Sequence, residues 1–465
     1  MKLNKITVTI GLLLLIVIGW NRTVAERNKT RAAYENYLGT AADYMKRGLY
    51  QKAGEEYKSA AKLKPSEEVY TGLLNACKAA YEENQRTYST YLDAAREAAT
   101  AYSGNADFAM QLAKLLVVKE DYSSACYYLK KAKERGASGE DFEQLLLEIR
   151  YIFDTDWRSY RNFRSAVNGF YEVYDEEGWT YLSDNGDETD FKKLSFAGPV
   201  GESGIRLIGE DNALRISDGK HVTQGILEGD APTEVGVYSE KLFPARVDER
   251  VSYYGVMGDK VFGDYENAGS FTDGKAAVSD SEGWRLIDTT GKTVSEGSYE
   301  EIRLNLDGSW IKKGVMLAKQ DGKYHLYNQK EKMIGDFSAD DVDVITSDGV
   351  FAFMQDDKWG FADTKGNVLI APEYESAKSF SNQIAAVASD GKWGFIDMDN
   401  KLVIRYQFLS ADYFSPSGLC MVETGQKLWQ FIRRKVTVEI DIKIEKKRSV
   451  VREQNAYALA GRKIH

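Results

Sequence analysis

The chain is poor in the residues that most catalytic and disulfide-bonded proteins need. Among 465 residues there are only three cysteines and three histidines: Cys77, Cys126, Cys420, His221, His325 and His465. An odd and small number of cysteines excludes a disulfide framework, and three scattered histidines leave little for histidine-based catalysis or zinc binding. We interpret Cys77 and Cys126 as small buried apolar side chains and His325 as a hydrogen-bonded strand residue.

Common enzyme signatures are absent as well. The sequence contains no P-loop, GxSxG, HExxH, CxxC or Rossmann fingerprint. Two acidic clusters, at residues 339–341 and 355–358, lack the spacing of a calcium loop, so we interpret them as solvated turns. The sequence therefore predicts a protein that is not an enzyme, with no catalytic residues, no cofactor and no metal.

An excess of positive charge is lacking too. The formal net charge is −10 and the isoelectric point is about 5.2, whereas proteins that bind nucleic acid usually carry a basic face. We expect no nucleic-acid partner. The last part of the chain, residues 445–465, is locally basic and shows no repeat pattern, so we treat it as a separate tail.

Only one long hydrophobic run occurs, and it begins at Ile6 and ends at Trp20. Flanking Lys5 and Arg22 can extend outward and lengthen its effective span, which favours a retained membrane anchor over residues 1–30. A small-x-small triplet at residues 23–25 leaves cleavage as the alternative. We expect the bulk of the chain to lie outside the cytoplasm, although positive charge on both sides of the run leaves its orientation open.

Residues 31–150 are rich in alanine, leucine, lysine and glutamate and predict helices with a period of about 34 residues. In the first unit Tyr37 and Tyr44 lie on one helix, Ala53, Tyr57 and Ala60 on the next, and Pro65 closes the unit. A degenerate middle copy contains Leu74, Tyr91 and Ala94, and a clear copy from Ala106 contains Leu112, Ala113, Tyr122, Ala125, Leu129 and Ala132. These units resemble tetratricopeptide repeats, which implies a groove for a peptide or partner helix; a spacer or dimerisation arm is the alternative.

After residue 150 the helical pattern gives way to short apolar runs separated by Asp-Gly and Gly-Lys pairs, which are typical of hairpins. The sequence KWGF occurs twice, 34 residues apart. An Asp-x-x-Gly turn follows the first copy, and asparagine replaces the glycine after the second. Aligned on this turn, eight units of about 36 residues begin at Trp179, Ala213, Tyr254, Trp284, Tyr324, Trp359, Trp393 and Trp429.

These units resemble the WG-repeat family, most strongly at Trp359-Gly360 and Trp393-Gly394. We interpret the repeated tryptophans Trp179, Trp284, Trp359, Trp393 and Trp429 as residues that pack one unit on the next. The glycines let another backbone approach. Stacking of these rings on carbohydrate is the alternative.

A unit of this size with four short strands predicts a β-propeller of seven or eight blades over residues 155–444, with an open β-solenoid as the alternative. Residues 160–175 and 431–444 look like complementary half-units, so we expect them to share one blade. The fold class is thus α + β with several domains. We expect a membrane-anchored interaction or scaffold protein of the bacterial envelope with protein partners; a carbohydrate or envelope-polymer binder is the alternative.

Overall fold

A computed structural model describes residues 26–189, 193–210, 213–218, 222–227, 232–425 and 427–436. The chain divides into two compact units, one ending at Arg150 and one beginning at Tyr151, called here the helical domain and the β domain. The predicted anchor and the basic tail lie outside the described residues. No helix in the described part of the chain is long and apolar enough to cross a membrane.

The helical domain has seven helices in its described part. They are α1 (residues 26–46), α2 (Tyr50–Leu63), α3 (Glu67–Glu83), α4 (Tyr88–Ala101), α5 (Ala106–Val118), α6 (Tyr122–Glu134) and α7 (Glu140–Arg150). Side-chain caps begin three of them: Ser66 accepts from Val69 N at 3.3 Å, and Asn105 and Asp121 do the same for α5 and α6.

Consecutive helices from α2 to α7 pack on one another. Ala53, Ala60 and Leu129 are fully buried, because small side chains allow close approach of antiparallel helices. The sequence-based assignment of these residues to helices is confirmed.

The described residues of the β domain form 29 strands. The first two sheets are β2 (Asn162–Val167), β3 (Phe170–Tyr174), β4 (Trp179–Ser183), and β5 (Phe196–Ala197), β6 (Arg206–Glu210), β7 (Ala213–Ser217), β8 (Val222–Leu227). The next three are β9 (Glu234–Val235), β10 (Leu242–Val247), β11 (Arg250–Gly255), β12 (Lys260–Tyr265); β13 (Asn267–Ala268), β14 (Lys275–Asp280), β15 (Gly283–Asp288); and β16 (Glu301–Arg303), β17 (Val315–Gln320), β18 (Lys323–Asn328).

The remaining sheets follow the same order. They are β19 (Asp341–Val342), β20 (Val350–Gln355), β21 (Lys358–Asp363), β22 (Val368–Tyr374); β23 (Ser376–Ala377), β24 (Ile384–Ser389), β25 (Lys392–Asp397), β26 (Leu402–Phe408); and β27 (Ser410–Ala411), β28 (Leu419–Gly425), β29 (Leu428–Arg434) with β1 (Phe153–Tyr160). The described chain thus forms eight antiparallel sheets, numbered here one to eight in this order.

All eight predicted unit starts fall in the third strand of a different sheet, from β4 to β29. A sequence unit therefore begins with the third strand of one sheet and ends with the first two strands of the next, so units and sheets are out of phase. In sheet seven, β26 runs without interruption from Leu402 to Phe408, although its register against β25 is irregular.

The predicted turn is confirmed in detail. The Asp363 Oδ1 atom accepts hydrogen bonds from the backbone N–H groups of Lys365 and Asn367, both at 2.9 Å. Gly366 has φ +88°, and Asn400 takes the same left-handed place in the next sheet with φ +60°. Glycine and asparagine tolerate this conformation best.

The prediction that residues 160–175 and 431–444 share one blade was wrong in its details. Residues 162–174 form the first two strands of sheet one, with β4, instead of joining the last sheet. The strand that joins the last sheet is β1, which pairs with β29 through a bulge between Thr155 and Ser159. This bulge interrupts the alternation of apolar residues by which a strand is recognised in a sequence.

The core of the β domain lies between neighbouring sheets. One cluster joins Phe361 of sheet six to Ile396 of sheet seven. Another joins Tyr171 and Leu182 of sheet one to Met421 and Phe431 of sheet eight, and the Tyr171 hydroxyl donates to Leu419 O at 3.0 Å. The first sheet therefore packs on the last.

Candidate functional site

The innermost strands and the loops between first and second strands surround two adjoining cavities of about 220 and 330 Å³. Both cavities are lined by Ser165, Val167, Asn305, Leu306 and Asp307, and together they draw lining residues from all eight sheets. We call this space the central cavity. Its position follows from the topology, since each sheet contributes its first strand or first loop to it.

A polar network crosses the smaller part of the central cavity. The Tyr413 hydroxyl donates to both carboxylate oxygens of Asp343, at 2.6 and 2.7 Å. Ser165 Oγ donates to Asp412 Oδ1 at 2.8 Å. Burial raises the pKa of Asp412 to about 6, although Ser165 and the Lys378 charge oppose that shift. The network ties sheets one, six and eight together and offers hydroxyl and carboxylate groups to a polar ligand.

Glu172 lines the larger part of the central cavity and is fully buried. Neither of its carboxylate oxygens has a hydrogen-bond partner among the described residues. Burial raises its pKa to about 8, against the opposing charges of Arg164 and Arg206. The guanidinium of Arg206 lies 4.5 Å from the centroid of the Tyr181 ring. At neutral pH this carboxyl group is therefore largely protonated.

The tryptophans that the sequence singles out occupy the start of the third strand in five sheets, and none of them lines the central cavity. All five are partly buried: Trp179, Trp284, Trp359, Trp393 and Trp429. Four pack against clusters that join adjacent sheets, and Trp393 pairs with Ala388 and Phe408 across its own sheet. Their role in packing one unit on the next stays a prediction.

The glycine after each WG tryptophan lies under the neighbouring backbone. A Cβ atom at Gly360 would stand 2.6 Å from Ile370 O, and one at Gly394 would stand 2.6 Å from Ile404 O. Both positions coincide with a register shift against the fourth strand. A side chain at either glycine would push that strand away.

A second repeated signature escaped the sequence analysis. The loop before the second strand carries an aromatic residue that is almost fully buried in four sheets: Phe271, Trp310, Phe380 and Phe414. In three of them serine precedes it, and Ser270 and Ser379 accept hydrogen bonds from Val237 N and Ala352 N of the preceding sheet. The recurring Ser-aromatic pair before the second strand was the available signal.

The helical domain has a cavity of about 440 Å³ between α2, α3 and α4. Lys58 and Glu55 of α2, Arg86 after α3 and Tyr91 of α4 line it. Burial raises the pKa of Cys77, which also lines it, to about 11, so this thiol stays neutral and unreactive at neutral pH. We call this space the helical groove; its mixed charge and apolar floor suit a peptide segment.

Among the described residues, no group of three or more His, Cys, Asp or Glu side chains is arranged to hold a metal ion. His325 Nδ1 lies 2.9 Å from Phe337 O, which makes it a hydrogen-bonded strand residue.

Comparison with solved structures finds distant likenesses only. The Dos1 propeller has a TM-score of 0.39 at 10% identity, covering 61% of this chain and 96% of that one. Hsv2 of Kluyveromyces lactis has a TM-score of 0.33 at 10% identity, covering 56% and 92%. The Yersinia enterocolitica translocator chaperone SycD has a TM-score of 0.20 at 19% identity, covering 25% and 84%. Scores this low determine neither fold nor function.

Sequence comparison is more specific in one region. No curated protein is significantly similar to this chain. The family model described as the WG containing repeat matches residues 359–393 and 393–427. These segments begin at the two KWGF tryptophans and run from the third strands of sheets six and seven into the following sheets. The chain therefore carries WG repeats over residues 359–427.

Proposed function

We propose that this protein is a membrane-anchored, non-enzymatic interaction or scaffold protein of the bacterial envelope. In this proposal the helical domain is a stack of tetratricopeptide-type repeats, and the β domain is an eight-bladed propeller of WG-type units. The packing of sheet one on sheet eight supports the propeller, since it joins the two ends of the array and leaves few edges exposed.

The observation that carries the proposal is the helical groove. It is preformed, it lies between three helices, and its rim combines Lys58 and Arg86 with Glu55 above an apolar floor that includes Leu73 and Ala80. Peptide-binding grooves combine apolar floors with a few charged groups in this way. The predicted anchor, the apolar run of residues 6–20, would hold both domains at the membrane.

The test is an affinity capture from the organism's own envelope extract with the full chain in detergent. Mass spectrometry identifies the bound material. We expect protein partners that are lost with Lys58→Glu and Arg86→Glu combined but kept with Lys114→Glu, which changes an exposed lysine outside the groove. Equal capture by all three proteins would refute the assignment of the groove.

A second candidate function, binding of carbohydrate or another envelope polymer, draws on the central cavity. Asn305, Asp307, Ser165 and Tyr413 offer amide, carboxylate and hydroxyl groups to a polar ligand there. Captured glycans in place of proteins would favour it.

The location is tested separately: protease added to intact cells should degrade the bulk of the chain, and survival until lysis would refute the outward orientation.

A further inference from the structure

Well-exposed large apolar side chains are concentrated at one end of the β domain. Strands alternate in direction, so the turns after the third strands lie at the same end as the loops between first and second strands. We call this the turn end. Of twelve such side chains in the described β domain, ten lie at the turn end, and only Trp157 and Leu409 do not. A distribution this uneven points to a function at that end.

The apolar residues repeat with the sheets. Immediately after the turn of sheets three to seven stand five aliphatic side chains with 37% to 55% exposure: Val261, Val294, Met333, Val368 and Leu402. An exposed lysine stands close before each of them: Lys260, Lys292, Lys332, Lys365 and Lys401. We call these ten residues the turn arc.

Contacts between adjacent turns make the arc continuous. A Cβ at Gly291 of sheet four would lie 3.0 Å from the Phe262 ring of sheet three. The Tyr299 hydroxyl of sheet four donates to Glu331 of sheet five at 3.3 Å. Similar contacts join sheets five and six at Gly366, and sheets six and seven at Asn400. The arc is thus one connected surface.

The two ends also differ in exposed charge over these five sheets. The turns after the third strands expose six lysines (the five of the arc and Lys330) and four acids: Asp259, Glu296, Asp336 and Asp399. The opposite hairpin turns expose seven acids and three lysines: Asp248, Glu249, Glu282, Asp321, Asp356, Asp357, Asp390, Lys323, Lys358 and Lys392. An anionic surface would therefore meet the turn end and be repelled by the other.

We propose that the turn arc docks on an anionic lipid bilayer surface. The same lysine and aliphatic pair repeats over five sheets, and such a surface suits a laterally uniform partner better than the irregular face of one protein. Tryptophan, tyrosine and arginine, which dominate protein hot spots, are absent from it, whereas aliphatic side chains among lysines suit the headgroup boundary. The inference rests on the proposed membrane attachment, which would hold the β domain close to lipid.

The test places an environment-sensitive fluorophore on either end of sheet seven in the full chain. Leu402→Cys lies in the arc, and Leu409→Cys is the matched control, since Leu409 is 39% exposed at the opposite end. The native cysteines are buried and do not compete for the label. Each protein is reconstituted with vesicles of phosphatidylcholine alone or with phosphatidylserine, some carrying a shallow nitroxide lipid.

We expect the probe at position 402 to shift its emission to the blue and to be quenched by the nitroxide lipid in vesicles with phosphatidylserine. The probe at position 409 should stay in water. Lys365→Gln or Lys401→Gln should each lower the ratio of docked to undocked protein about fivefold.

Three results would overturn the inference. If the chain floats with the vesicles while the probe at position 402 stays in water, the proposed membrane attachment holds but the turn arc does not dock on lipid. If the chain does not float with vesicles of either composition, both the attachment and the docking are refuted. Shielding of position 402 that needs added envelope proteins would assign the arc to a protein partner.

Discussion

The interface between sheets six and seven and the interface between sheets one and two occupy equivalent places but differ in chemistry. In the first, an apolar cluster includes Phe361 and Val387, and the WG tryptophan Trp359 packs against it. The second places the fully buried Glu172 near Arg206, which stacks on Tyr181. The first three strands follow one another in the same order in all four sheets. The positions of the strands therefore depend on the turns and on the close approach of neighbouring backbones. The buried space between two sheets accepts either apolar or ionisable side chains.

The largest expected effect concerns the strand that connects these regions. A chain ending at Gly425 loses β29, which pairs with both β1 and β28 and carries the fully buried Phe431 and Ile432. Sheet one then loses its packing partner, so the β domain should lose its cooperative unfolding transition or aggregate. Tryptophan fluorescence reports this, since seven of the eight tryptophans follow residue 150.

The control for this truncation is a chain ending at residue 444, which keeps every described strand and should keep the transition. Equal melting temperatures for the chains ending at residues 425 and 444 would show that the two ends of the β domain do not support each other. An open array would behave in that way, because a lost end affects only its neighbour.

The next effect tests the apolar interface. Trp359→Ala should lower the free energy of unfolding by about 3 kcal/mol, because the ring packs against a cluster shared by sheets six and seven. Trp157→Ala is the matched control: its ring is 87% exposed, so the cost should stay within about 0.5 kcal/mol. Denaturant unfolding measures both. If Trp359→Ala lowers the free energy of unfolding as little as Trp157→Ala does, a ligand-stacking role for Trp359 is favoured.

A smaller effect is expected at the glycine of the second WG pair. Gly394→Ala should cost about 2 kcal/mol, because its Cβ would stand 2.6 Å from Ile404 O and 2.9 Å from Tyr406 N. Gly391→Asn in the same hairpin should cost less than about 1 kcal/mol, since nothing lies within 4 Å and asparagine tolerates its φ of +67°. Equal denaturation midpoints for the two variants would contradict this account.

The last effect depends on pH and tests the buried carboxyl group between sheets one and two. The pKa of Glu172 is raised from 4.5 to about 8 in the folded protein by burial. Unfolding therefore releases a proton at intermediate pH, and the stability of the β domain should fall as pH rises from about 4.5 to 8. Glu172→Gln should remove this slope, so its stability relative to the natural chain should be higher at pH 8 than at pH 5.

Unfolding midpoints at several pH values measure this difference. Trp359→Ala serves as the comparison, because an indole side chain does not titrate and the cost of removing it should change little between pH 5 and pH 8. Parallel pH profiles for the natural chain and Glu172→Gln would show that the buried carboxyl group does not titrate in this range.

Much of the architecture was predictable from short-range patterns. The order of helical hairpins and β units, the eight third strands and the Asp-x-x-Gly turns all depend on residues close together in the chain. Backbone conformation at such positions is local: the turn requires positive φ at its last residue, and glycine and asparagine tolerate that conformation best. The helical groove was foreseen only as a resemblance, and its lining residues were not.

The sequence by itself thus determined where the third strands of the repeating β units lie and which turns follow them. Only the tertiary structure decided how the units combine into sheets, which N-terminal strand completes sheet eight, and that Glu172 and Trp310 are buried between units. The physical reason is sequence separation. β1 meets β29 across almost the whole β domain, and burial of a side chain depends on neighbours brought together from distant repeats, which no local pattern encodes.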